Sequence, residues 1–96
     1  MRLVYSQEAV ADLVRLRAFI ASNDPTAAAR IAADLVARID GLCAFPEMGR
    51  SVSQAPEPDS IRDFIFSKYV VRYAVRGAAL VILRIWHHHE ISRDSI

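Results

Sequence analysis

"SKYVVRYAVRGAALVILRIWHHHE", residues 67–90, decides the fold. Its side chains repeat with period two, the signature of extended chain, and Gly77-Ala78 interrupts it as a hairpin turn. "YVVRYAVR" is therefore one strand and "ALVILRIWH" the next, with "IRDFIF" a strand before them. Tyr69, Val71, Tyr73 and Val75 make an apolar row; Val70, Arg72, Ala74 and Arg76 make a mixed one. The last strand is apolar on both faces, with Val81, Leu83 and Ile85 on one and Leu80, Ile82 and Trp86 on the other. That pattern suits a central strand covered on both sides. Two registers are open. A two-residue turn pairs Val75 with Leu80, a three-residue turn pairs it with Ala79, and the slip turns every side chain over.

Upstream the period changes. "RLVY" is a short first or edge strand. Ser6 suits a helix N-cap, and Glu8 lies in the first turn, where the helix dipole favours a carboxylate. Val10, Leu13, Leu16 and Ile20 recur at helical spacing, with Glu8, Asp12 and Arg15 on another face, and the helix fades near Ser22-Asn23. Asp24 caps a second helix and Pro25 opens it. Its stripe is Ala28, Ile31, Leu35, Ile39 and Leu42, Arg30, Asp34 and Arg38 are placed to pair on the exposed side, and Pro46 ends it. So short a connection predicts an antiparallel helical hairpin. "FPEMGRSVSQAPEPDS" reads as a long loop. The expected architecture is α+β: an N-terminal strand and an αα-hairpin packed on a small antiparallel sheet, as one domain over residues 1–96.

Composition bounds the rest. At 53% hydrophobic and 24% charged residues the chain is globular. Its single cysteine, Cys43, excludes an intrachain disulfide and suits a reducing compartment. No leader pattern or membrane-spanning run is visible, so the expected location is the cytoplasm. Residues 60–96 hold Arg62, Lys68, Arg72, Arg76, Arg84 and Arg93 against Asp63, Glu90 and Asp94. An anionic partner would dock on that half.

His87, His88 and His89 admit three readings. Neighbours on a strand face opposite ways, so at most His87 and His89 share a face, too few for a zinc site. A histidine beside arginines suits acid–base chemistry on a phosphodiester. A polar strand end needs no chemistry at all. Trp86 is either core or an interface anchor. There is no phosphate-binding glycine loop, no CxxC and no basic recognition helix, so neither a cofactor, nor a metal, nor sequence-specific DNA binding by this chain alone is expected.

"AFPEMGRSV" after a helical hairpin, "IRDFIFSKYVVRYAV" and then "VILRIWHHHE" resemble the toxins of the ParE/RelE superfamily, the toxin halves of type II toxin–antitoxin modules, often called plasmid stabilisation proteins. The resemblance covers essentially the whole chain. Its most specific parts are Pro46-x-Met48-Gly49-Arg50, the Arg62 strand, Tyr73 and Leu83-Arg84-Ile85-x-His87. It implies one of two activities. RelE-like members cut mRNA on the ribosome; ParE-like members bind and poison DNA gyrase. The nuclease branch commonly has arginine where this chain has Val70, and the "LRIWH" ending is more like ParE. The resemblance therefore implies a gyrase-binding toxin that is not an enzyme, with Arg62, Arg72, Arg76, Arg84, Trp86 and His87 as target contacts. The alternative is a ribonuclease using His88, Arg84 and Arg72, or a non-toxic interaction module of the same fold. It also implies a ParD-like antitoxin in a hetero-oligomer, lying on Leu80, Ile82 and Trp86.

Overall fold

The structure is a computed structural model that describes residues 1–88 and Glu90; His89 and residues 91–96, with Arg93 and Asp94, lie outside the described residues. Strand β1 (Arg2–Tyr5) leads into helices α1 (Gln7–Asn23) and α2 (Pro25–Gly41). Strands β2 (Arg50–Ser51), β3 (Ile61–Phe66), β4 (Tyr69–Arg76) and β5 (Ala79–His87) follow. The sheet order is β1-β5-β4-β3-β2. The fold is thus α+β as expected, with a correction to the sheet. Neighbours β2 to β5 are antiparallel, but β1 lies parallel to β5, so the sheet is mixed. The loop contributes the short β2, too brief for a periodic pattern to reveal.

Local chemistry sets the element ends. The Ala9 N–H donates to the Ser6 hydroxyl and the Ala27 N–H to the Asp24 carboxylate, so both helices carry the expected caps. Asp24 alone joins the helices. The β4–β5 turn has two residues, with Val75 opposite Leu80 and Gly77 at φ +60°, a conformation glycine adopts without Cβ strain.

Packing corrects several sequence expectations. Val10 is exposed and Ala9 takes its place in the core, while Asp12, expected outside, is only 1% exposed. Between Arg72 and Tyr73 the β4–β5 register shifts, so Leu83 is an extra residue in β5. The bulge moves Ile85 to the helix face beside Leu80, Ile82, Val71 and Tyr73, and puts Leu83 with Ala74 on the other. Leu80 and Ile82 are fully buried beneath this chain's own helices, so these two expected antitoxin contacts offer no surface. The opposite, helix-free face is partly roofed from within: Val52 and Ala55 of the 52–60 loop pack on Ile61, Ala74 and Leu83.

Tyr73 anchors the loop between α2 and β2 from inside the core. Its hydroxyl donates to the Pro46 carbonyl at 2.7 Å and accepts from the Gly49 N–H at 2.9 Å. Arg62 donates to the Gly49 carbonyl at 2.9 Å. A Cβ on Gly49 would come within 2.8 Å of the Tyr73 ring and 3.0 Å of the Asp63 carbonyl. Gly49→Ala is therefore expected to displace the loop and cost ~2 kcal/mol, read as a lowered urea midpoint. An unchanged midpoint would contradict this anchoring.

Candidate functional site

The helix-free face of the sheet is crossed by a row of charged residues in register: Arg50 opposite Asp63, Asp63 opposite Arg72, Arg72 opposite Arg84. Paired residues on adjacent strands project to the same side. Arg72 grips Asp63 with two hydrogen bonds of 2.8 and 3.0 Å. Its guanidinium also lies over the Trp86 ring, 5.1 Å from the centroid, a cation–π contact. Arg72 and Trp86 are both nearly buried, at 7% and 6% exposure. Arg50 is exposed and its side chain makes no hydrogen bond or ion pair among the described residues.

Arg84 is held at the sheet edge. β1 pairs with β5 only as far as Ile82, which would leave the rest of the β5 edge bare. The Ser6 backbone and then a series of side chains take over from the missing strand. The Ser6 N–H donates to the Ile82 carbonyl and the Ser6 hydroxyl to the Leu83 carbonyl. The Ile85 N–H donates to the Asp12 carboxylate at 2.8 Å, and Arg15 donates to the Ile85 carbonyl. The His87 N–H donates to the Glu90 carboxylate. Asp12 also accepts two hydrogen bonds from Arg84, at 2.9 and 3.0 Å, and is bridged by Arg15, which reaches on to Glu90. Burial pushes the Asp12 carboxyl up, but the hydrogen bonds from Arg84, the Ile85 N–H and Arg15 outweigh it and hold it below its ordinary value. The Arg84 guanidinium is correspondingly raised, first by its hydrogen bonds to Asp12.

The remaining expected residues are scattered. Arg62 is spent on the loop carbonyls of Glu47 and Gly49. His87 stands edge-on to Tyr69 at 5.2 Å and beside Phe19, on the helix face. His88 stacks on His87, and its ring Nδ1 lies 3.3 Å from the Lys68 carbonyl. Arg76 is exposed at the hairpin end. The structure therefore brings Arg72 and Trp86 together and separates them from Arg62, Arg76 and His87. The carboxylates that hold the arginines, Asp12, Asp63 and Glu90, are not among the site residues expected from the sequence. An acidic residue one turn from an arginine was the only local signal, and it looks the same on a solvated helix. Among the described residues no group of three or more His, Cys, Asp or Glu side chains is placed to hold a metal ion. Among the described residues no helix is long and apolar enough to cross a membrane.

Fold and face together define a small α+β protein with two helices on one side of a mixed sheet and an arginine-bearing face on the other. The family model described as "ParE toxin of type II toxin-antitoxin system, parDE" matches residues 3–92, and the chain belongs to that family. It is similar to "Toxin RelE1" of Caulobacter vibrioides, 39% identical over 85 residues, 88% of this chain and 90% of the relative. It is also similar to "Toxin RelE2" of the same organism, 33% identical over 87 residues, 90% of this chain and 93% of the relative. A chain of the solved structure titled "Chromosomal ParDE TA system from P. aeruginosa" superposes with a TM-score of 0.78 at 25% identity, covering 91% of this chain and 95% of that one. The protein is a toxin of a type II toxin–antitoxin system, and an antitoxin partner goes with that membership.

Proposed function

We propose that this toxin acts in the ParE manner, by binding DNA gyrase and stalling it on cleaved DNA, and not by cutting RNA. One observation carries the reading: the residues a ribonuclease would need are engaged elsewhere. Arg72 closes on Asp63 and Trp86, Arg84 closes on Asp12, and His88 sits against the Lys68 carbonyl. A phosphodiester-cleaving site needs an acid–base group and cations converging on one phosphate. A binder needs only a shaped, charged surface. The ParE description of the matching family supports the same reading. The RelE names of the Caulobacter relatives favour the ribonuclease. The cytoplasm is where either target lies.

The test incubates purified protein with gyrase, ATP and supercoiled plasmid, then scores DNA after detergent and protease treatment. Linear plasmid is expected to accumulate in proportion to toxin. Intact plasmid at large toxin excess, with cleavage of mRNA in a ribosome-programmed translation reaction, would overturn the proposal in favour of the ribonuclease.

A further inference from the structure

At the hairpin end of the sheet, Arg2 of β1 pairs with Ala79 of β5, and Arg76 of β4 pairs with the same Ala79 from the other side. The three residues form one row on the helix-free face. Adjacent strands lie about 4.8 Å apart, so the two arginine backbones stand about 10 Å from each other. The residue between them is an alanine, too small to fill the gap. Arg2, Arg76, Ala78 and Ala79 line a shallow depression of ≈ 250 Å³ there.

Both arginines are exposed, and among the described residues neither side chain makes a hydrogen bond or an ion pair. Glu57 borders a neighbouring depression that Arg76 also lines, yet no ion pair joins them. This contrasts with Arg72 and Arg84 on the same sheet, each matched to its own carboxylate. Two unpaired guanidiniums one small residue apart repel each other and add nothing to the fold. They gain when an anion with several acceptor oxygens sits between them, because each guanidinium is a planar fork of donors matched to phosphate.

We infer that Arg2 and Arg76, bridged by Ala79, form a phosphate-binding site for the backbone of a nucleic acid. The depression is open and shallow, which suits one phosphate of an extended polymer and gives a free nucleotide few walls. Such contacts position a nucleic acid without reading its sequence, in keeping with the lack of a recognition helix. The choice of nucleic acid rests on the gyrase reading, whose target carries DNA; the two-arginine geometry does not.

The experiment measures binding of a fluorescein-labelled 20-base-pair DNA duplex by anisotropy across a salt series, without gyrase. Its outcome is thus separate from the plasmid assay. The double variant Arg2→Gln/Arg76→Gln is compared with wild type and with Arg17→Gln/Arg30→Gln, which removes equal charge from exposed helix positions. The slope of log affinity against log salt is expected to shrink by about 2 in the first variant, about 1 for each arginine, and to change little in the second. Thermal melting should match wild type in both. A wild-type slope in the first variant, or an equal loss in both, would overturn the site. Inorganic phosphate competing as well as duplex at equal phosphate concentration would overturn the nucleic-acid assignment.

Discussion

Replacing Asp12 with alanine is expected to cost ~3 kcal/mol and to lower the melting temperature by roughly 12–24 °C. The carboxylate is 1% exposed and meets four donors, two on Arg84, one on Arg15 and the Ile85 N–H. Alanine leaves a part-buried guanidinium without its counter-charge and a strand-edge N–H without an acceptor. The figure stays at the low end for a broken buried pair because Arg84 keeps a fifth of its side chain in water. The same residue sets an acid limit. Its folded-state pKa lies below the ordinary 3.8, so the clasp contributes fully above that value and is lost as pH falls through the depressed one. The gap in melting temperature between wild type and variant should be steady from about pH 7 to pH 5 and narrow below about pH 4. Equal melting temperatures at neutral pH would show that Asp12 holds nothing.

Trp86→Ala is expected to cost another ~3 kcal/mol, a large share of the stability of a chain this size. Trp86 is only 6% exposed and forms the plate on which the Arg72 guanidinium lies. The loss combines a cavity with the cation–π contact, while the Arg72–Asp63 pair would persist in a wetter setting. Urea denaturation followed by far-ultraviolet circular dichroism is the measurement, since the variant has no tryptophan left to report. An unchanged midpoint together with lost partner binding would make Trp86 an interface anchor instead.

Much of the fold was legible. Strands 61–66, 69–76 and 79–87, both helix caps and the hairpin turn follow from period, turn chemistry and capping, all local features of the chain. Arg72, Arg84 and Trp86 are expected from the sequence as contacts to a target, and the structure pairs the two arginines with carboxylates of this chain. Their partners did not stand out. Asp12 lies 72 residues from Arg84, and nothing around Asp12 distinguishes a buried carboxylate from a solvated one. Leu80 and Ile82 are expected from the sequence to meet an antitoxin, but α1 and α2 of the same chain cover them.

The sequence by itself determined both helices and the strands other than β2, because those choices depend on residues a few positions apart. Only the tertiary structure decided which side chains meet. A single extra residue, Leu83, reverses the faces of β5, and the early end of β1 leaves an edge that Ser6, Asp12, Arg15 and Glu90 must satisfy. Both are consequences of strand register. Register is set by the packing of the whole sheet, and a shift of one residue exchanges the inner face for the outer.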